Sequence, residues 1–302
     1  LDGGTGTDTL HFTYVGHGWS GLKTGSTPVG DAVVNFEEIK FSTTTSGSYE
    51  FNLGSQAGSA GESITVEVVQ TSGMTAYGID FTSETDANII FTGSNGDDNG
   101  NNGDDILNGG DGTDTAIFSA AANQIDLRIT VSQNTGDGND TLTSIENVNA
   151  GGGDDTVYGN SEANFLSGRN GNDTLIGNEG NDTLYGGSGV DDLSGGDGND
   201  RVDGGSGTDT LYGNGGDDKL YGGDGVDTLY GGDGNDRVDG GSGADDLRGG
   251  DGNDRYIIDN SNDTITEGES KGIDTAYSTA STFTLDDNVE NLRLKGSSDI
   301  DG

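Results

Sequence analysis

A repeat of nine residues governs the second half of the chain. Residues 150–257 divide into twelve consecutive nines without insertion or deletion, of which GGDGNDRVD and GGSGTDTLY are examples. Counted in this register, the sixth position is Asp in eleven of the twelve repeats, with Asn164 as the exception, and the eighth position is always apolar. Such a strict short period predicts stacked repeats rather than a conventional globular core.

The same frame recurs outside this block. Copies occupy residues 3–11, 100–108, 109–117 and 135–143, and a looser copy without glycines follows at 258–266. The sixth positions that carry Asp are the candidate metal ligands: Asp8, Asp105, Asp114, Asp140, Asp155, Asp173, Asp182, Asp191, Asp200, Asp209, Asp218, Asp227, Asp236, Asp245, Asp254 and Asp263.

These nonapeptides resemble those of the RTX, or hemolysin-type, family, whose repeat is G-G-x-G-x-D-x-U-x with U large and apolar. The resemblance implies an all-β fold, a right-handed parallel β-roll or β-solenoid. In it, the first six residues of each repeat form a turn that holds Ca²⁺, and the last three form a short strand. The resemblance also implies type I secretion, with the chain unfolded in the calcium-poor cytosol and folded outside the cell.

The residue types suit calcium. Glycine allows positive φ and a close approach of carbonyl oxygens, and Asp supplies a short anionic oxygen ligand. Calcium takes about 6–8 oxygens, more than one turn supplies, so two stacked turns must share an ion. If repeats alternate between two edges, one coil is 18 residues, and Asp218 stacks between Asp200 and Asp236. This arrangement predicts up to about ten calcium ions in the main roll.

Composition excludes several classes of protein. The net charge of −42 disfavours nucleic acid as a partner, and no apolar run is long enough for a transmembrane segment. Cysteine is absent, so disulfides and thiolate sites are excluded. Only 28% of residues are hydrophobic, against 59 glycines, which predicts that the roll depends on calcium to fold. The alternative, a disordered acidic polymer, does not account for the phased apolar residues.

Residues 12–91 differ in composition from the repeats, with β-forming runs such as ESITVEVVQ and NIIF. They predict a β-solenoid that continues into the roll, with a small β-sandwich as the alternative. A further strand is predicted in IDLRITV, at 125–131. Three similar segments, NFEEIKF (35–41), SIENVNA (144–150) and NVENLRL (288–294), are interpreted as capping or linking strands.

No enzymatic signature is present. The sequence contains neither HExxH nor G-x-S-x-G, and its two histidines, His11 and His17, give little material for an active site. The loop around His11, His17 and Trp19 could bind a transition metal or stack on sugar, but an incidental surface loop is the simpler interpretation. We therefore predict that the protein is not an enzyme.

The predicted organisation has five parts. They are a β-rich segment at 1–92, a short RTX block at 93–117, a β insertion and linking strand at 118–149, the main roll at 150–266 and a C-terminal linking or capping segment at 267–302. Leu1-Asp2 would end a preceding repeat, and residues 299–302 would begin another turn. We therefore expect this chain to be part of a longer array of repeats.

The predicted function is that of a calcium-dependent structural segment of a secreted bacterial surface or extracellular protein: an adhesin, a surface-layer protein or a matrix component. One alternative is the non-catalytic secretion and folding region of an exported RTX enzyme or toxin. Another is a carbohydrate- or peptide-binding module in residues 12–91. The expected partners are calcium and, beyond it, other copies of the chain or cell-surface glycans.

Overall fold

The computed structural model describes residues 9–14, 38–43, 49–52, 63–70, 77–80, 88–92, 106–108, 113–118, 122–136, 138–268, 271–280, 282–285 and 287–294, with side chains from residue 107 onward. The chain divides into two compact units, Leu1–Gly151 and Gly152–Gly302. The five-part organisation predicted from sequence is finer than this division and stays a prediction.

Every regular element of the first unit that the structure describes is a strand. These strands are β1 (Thr9–Tyr14), β2 (Glu38–Thr43), β3 (Tyr49–Asn52), β4 (Ser63–Gln70), β5 (Tyr77–Asp80), β6 (Asn88–Thr92), β7 (Ile106–Asn108), β8 (Thr115–Ile117), β9 (Gln124–Asp126), β10 (Gln133–Asn134), β11 (Asn139–Thr143) and β12 (Asn147–Asn149).

Most strands of the first unit belong to two sheets. One sheet has the order β1-β2-β4-β6-β8-β12, and the other has the order β10-β11-β7-β5-β3. The described pairings along the first sheet are all parallel, for example Ile39 beside Val66, whereas the short β10–β11 pair in the second sheet is antiparallel. Parallel pairing of alternate strands is the pattern of a solenoid, so the solenoid interpretation of these strands is confirmed and the β-sandwich is wrong.

The strand predicted in IDLRITV is shorter than expected. Strand β9 ends at Asp126, whose carboxylate accepts hydrogen bonds from the backbone N–H and the Nε–H of Arg128, at 3.0 and 2.8 Å. This local bonding turns the chain back on itself, and the Ile129 N–H donates to the Asp126 carbonyl. Val131 is consequently 68% exposed instead of packed in a strand.

The second unit contains the regular repeats. Its strands are β13 (Thr156–Tyr158), β14 (Phe165–Asn170), β15 (Thr174–Glu179), β16 (Thr183–Gly189), β17 (Asp192–Asp197), β18 (Arg201–Gly207), β19 (Thr210–Gly215), β20 (Lys219–Gly225), β21 (Thr228–Asp233), β22 (Arg237–Ser242), β23 (Asp246–Asp251), β24 (Arg255–Ile258), β25 (Thr264–Ile265), β26 (Thr275–Ser278) and β27 (Asn291–Leu294).

Alternate repeats of this unit form alternate sheets. The strands are ordered β14-β16-β18-β20-β22-β24-β26-β27 in one sheet and β13-β15-β17-β19-β21-β23-β25 in the other. Within the regular repeats each residue pairs with the residue 18 positions later, as Leu211 does with Leu229 and Leu220 with Val238. The predicted coil of two nonapeptides, and the parallel β-roll itself, are therefore confirmed.

The core of the roll is a narrow column of eighth-position side chains. All twelve of them, from Val157 to Tyr256, are fully buried, while positions seven and nine on either side are half-buried or exposed. This alternation is the strand period of two, applied to strands that each bury one face. Because only one large apolar side chain per repeat is buried, the apolar contribution to stability is small for a chain of this length.

Glycine permits the coils to stack closely at the turns. Gly198 has φ +144°, and a Cβ placed there would lie 1.5 Å from the Gly180 carbonyl oxygen of the preceding coil. No L-amino acid with a side chain fits such a position without displacing the backbone.

Among the described residues, none lies in a helix of the length and hydrophobicity needed to cross a bilayer.

Candidate metal centre

The sixth-position Asp side chains form two buried columns, one along each edge of the roll. Their relative exposure is only 1–2% from Asp155 to Asp254. In each column the carboxylate of one coil accepts a hydrogen bond from the backbone N–H of the Asp one coil earlier. Thus Asp200 N–H donates to Asp218 Oδ1 at 2.7 Å, and Asp218 N–H donates to Asp236 Oδ1 at 2.8 Å. The predicted stacking of Asp residues 18 apart is what the structure contains.

The second carboxylate oxygen of these side chains is buried without a hydrogen-bond partner. The residues with such an Oδ2 include Asp173, Asp182, Asp191, Asp200, Asp209, Asp218, Asp227, Asp236, Asp245 and Asp254. Buried polar groups are almost always paired, since an unpaired one costs about 1–3 kcal/mol and a charged one more. A regular array of unpaired anionic oxygens therefore makes these turns candidate cation sites.

The first-position glycine of each repeat makes room for this oxygen. A Cβ on Gly168 would lie 2.1 Å from Asp173 Oδ2, and one on Gly213 would lie 2.3 Å from Asp218 Oδ2. A Cβ on Gly213 would also lie 2.5 Å from the Gly231 carbonyl oxygen of the next coil. Carboxylate and carbonyl oxygens thus converge beside first-position glycines such as Gly213, and they are the ligand types that calcium takes. The residues present fit Ca²⁺, which would neutralise the paired carboxylates.

Electrostatics favour a cation here. Burial raises the pKa of the carboxyl groups to about 6 for Asp182 and Asp227 and to about 7 for Asp191 and Asp218. The hydrogen bond from the neighbouring backbone N–H lowers the pKa of each group, and the negative Asp of the adjacent coil raises it. Because burial makes the ionised carboxylates costly without a counterion, a divalent cation would be strongly favoured here.

Several predicted ligands differ from this pattern. Asp8 and Asp105 lie outside the described residues. Both oxygens of Asp263 are already bonded, Oδ1 to the Asp245 N–H at 3.2 Å and Oδ2 to the Asn260 N–H at 3.1 Å. In the first unit, Asp140 Oδ2 accepts a hydrogen bond from the Thr135 hydroxyl.

Asn164 interrupts one column. Its side chain is buried, and its Oδ1 accepts the Asn160 N–H at 2.8 Å within the same turn. An amide supplies no charge, so this turn lacks the anionic oxygen that its neighbours present.

Three carboxylates that the sequence reasoning did not assign accept the same kind of backbone hydrogen bond outside the regular repeats. Glu146 accepts the Asp114 N–H at 2.8 Å, Asp274 accepts the Asp254 N–H at 2.8 Å, and Glu290 accepts the Asp274 N–H at 2.8 Å. The strand registers place Glu146 opposite Asp114 and Glu290 opposite Asp274, where a sixth-position Asp would stand. The recurring Glu of the segments at 144–150 and 288–294 was the available signal, and their interpretation as capping or linking strands stays a prediction.

Parallel stacked coils with buried carboxylates facing glycine turns define a calcium-binding β-roll. A family model of four copies of the RTX calcium-binding nonapeptide repeat matches the chain in overlapping placements between residues 149 and 265. This part of the chain is therefore a set of RTX calcium-binding repeats, a structural rather than catalytic kind of domain. A comparison with curated proteins gave no match.

Proposed function

We propose that the chain is a calcium-dependent structural segment of a secreted bacterial surface or extracellular protein, and that calcium triggers its folding after export. The observation that carries the proposal is the double column of buried Asp side chains with unpartnered Oδ2 atoms. In the absence of a cation, ionised carboxylates stack one coil above the next, and their mutual repulsion opposes the roll.

This electrostatic arrangement suits a protein that must pass through a secretion channel unfolded. Extracellular calcium modules bind with dissociation constants of about 10⁻⁴–10⁻³ M, far above the calcium levels that cytosolic sensors detect. A roll of that affinity stays unfolded during type I export and folds outside the cell. Its repetitive construction and the small hydrophobic core fit a spacer in an adhesin, a surface layer or an extracellular matrix.

The test is a calcium titration of the isolated chain followed by far-UV circular dichroism. The strand signal of residues 150–257 should be absent in excess EDTA and should appear cooperatively as calcium reaches the millimolar range. Magnesium should not substitute, because it holds its water and demands tighter octahedral geometry. Full strand signal after verified removal of metal would contradict the proposal.

A second candidate function, binding of an acidic glycan, has support from one face of the roll. The chain has only 12 Lys and Arg residues, yet Arg201, Lys219, Arg237 and Arg255 stand beside one another on four consecutive strands of the same sheet. The Arg201 guanidinium lies 4.2 Å from the ring centre of Tyr221. A row of cations with an aromatic ring suits a carboxylated or sulfated sugar polymer.

The glycan candidate is tested on an array of acidic and neutral polysaccharides. Lys219 and Arg255 are exposed, and in the described part of the chain no ion pair engages either of them. Replacing both by Ala should abolish retention of acidic glycans, whereas a control that replaces Arg248 and Lys271 should retain it. Equal binding by the two double variants would contradict this role.

A further inference from the structure

The regular repeat fails at one end of the roll, and three carboxylates meet there. Glu267 follows β25 and stands 18 residues after the first-position Gly249, where the repeat calls for another glycine. The next sixth-position residue, Asp274, comes 20 residues after Asp254 instead of 18. The chain therefore has a two-residue insertion and a Gly-to-Glu change in the same coil.

These changes bring Asp254, Glu267 and Asp274 together. Each offers a carboxylate oxygen, and the three oxygens all lie within 4.8 Å of one another. Asp254 is 2% exposed and its Oδ2 has no hydrogen-bond partner, and Asp274 is 1% exposed. Two oxygens on opposite sides of a calcium ion are separated by about 4.6–5.2 Å, which is the scale of this cluster.

Backbone N–H groups donate hydrogen bonds to two carboxylates of the cluster. Asp274 Oδ1 accepts the Asp254 N–H, and Glu267 Oε1 accepts the Gly249 N–H at 3.1 Å. The hydroxyl of the buried Tyr256 also contacts Glu267. The nearby cation Lys271 pairs with the exposed Asp251. Among the described residues, no Lys or Arg side chain forms an ion pair with the cluster.

We propose that Asp254, Glu267 and Asp274 form an additional Ca²⁺ site that closes the end of the roll. It differs from a nonapeptide turn because two of its three carboxylates lie outside the regular repeats, and one of these, Glu267, supplies charge where the repeat would place glycine. An all-carboxylate set without His or Cys selects a hard cation rather than zinc or copper. The three carboxylates repel one another when ionised, and a divalent cation between them would remove this repulsion.

The experiment uses the full chain and compares Glu267→Gln with the matched control Glu179→Gln. Glu179 is an exposed Glu of a regular repeat, so both variants lose one negative charge. Bound calcium is measured at saturation by equilibrium dialysis. Hydrogen exchange is followed in peptides covering residues 249–280 and 186–248. Glu267→Gln should bind about one ion fewer than the parent and lose the calcium-induced protection of residues 249–280. Glu179→Gln should match the parent in both measurements.

A second variant, Glu267→Ala, removes the carboxylate without restoring the glycine of the repeat and keeps the proposal testable if the Gln variant folds poorly. It should show the same loss of one ion while residues 186–248 keep their calcium-induced protection. Parent-like stoichiometry and protection in both Glu267 variants would overturn the site. Loss of calcium dependence at residues 186–248 of the parent would instead contradict the proposed function.

Discussion

Replacement of Asp218 by Asn should have opposite effects with and without calcium. The Asp218 Oδ1 accepts the Asp200 N–H at 2.7 Å, and its Oδ2 is buried without a partner. The Asn side chain keeps an oxygen for the Asp200 N–H but replaces the anionic Oδ2 by a neutral amide group. The backbone hydrogen bond is therefore retained while the charge is removed.

The magnitude follows from the pKa of Asp218. Burial raises it from 3.8 to about 7. At pH 8, above both values, ionised Asp218 destabilises the calcium-free roll by about 4 kcal/mol. Asp218→Asn should relieve most of that cost in EDTA. In saturating calcium it should be destabilising, because Asp218 would serve the sites shared with both Asp200 and Asp236.

The assay is far-UV circular dichroism at pH 8. In EDTA, a protecting osmolyte such as trimethylamine N-oxide is titrated until the strand signal appears, and in calcium the chain is unfolded with urea. Asp217→Asn is the matched control, since Asp217 is exposed one residue away and its Oδ1 accepts the Asn235 N–H at 2.8 Å. The hydrogen bonds from Asn235 lower the pKa of Asp217, so removing its charge should not stabilise the calcium-free roll.

The result that refutes this reasoning is a change of the same sign in both conditions. If Asp218→Asn needs more osmolyte than the parent in EDTA, the buried carboxylate is not a burden on the calcium-free roll. If it unfolds in calcium at the same urea concentration as the parent, Asp218 does not bind the metal.

Three further predictions concern pH, packing and backbone strain. Because the sixth-position Asp groups have raised pKa values in the roll, the calcium-free roll should gain stability as the pH falls from about 7 toward 3.8, measured by osmolyte titration in EDTA at several pH values. Gly198→Ala should cost at least about 2 kcal/mol in urea unfolding with calcium, whereas Gly215→Ala, whose Cβ would meet nothing closer than 3.5 Å, should be nearly neutral. Arg169 has φ 76° at the second position of its repeat, so Arg169→Gly should raise stability by about 1 kcal/mol in the same assay.

The roll could be predicted from the sequence because each nonapeptide contains both the residue that enters the core and the residue that forms the turn. A single register links an eighth-position residue such as Leu211 to the core and a sixth-position residue such as Asp218 to the turn. The stacking distance of 18 residues then follows from two edges. In the first unit the coils are longer and uneven, with Ile39 paired to Val66 and Ile64 to Ile89, so sequence predicted the strands but not their partners.

Other features depended on contacts that no local pattern encodes. The early end of β9 comes from hydrogen bonds between Asp126 and Arg128, which compete with the strand. Asp263 fits the repeat frame, yet Asn260 occupies its second oxygen. Glu267 stands where the repeat has glycine, and no local pattern encodes its approach to Asp254 and Asp274.

The sixth-position side chain has two separable tasks, and the residue types along the chain follow from them. One oxygen accepts the N–H of the preceding coil, which any carboxylate of suitable reach can do. The other faces the glycine turn, where only a short anionic side chain leaves space for a metal. Glu146 and Glu290 accept such an N–H in two of the linking segments, from Asp114 and Asp274. Asp therefore stands where calcium has to bind between two coils, and Glu suffices where only the backbone hydrogen bond is made.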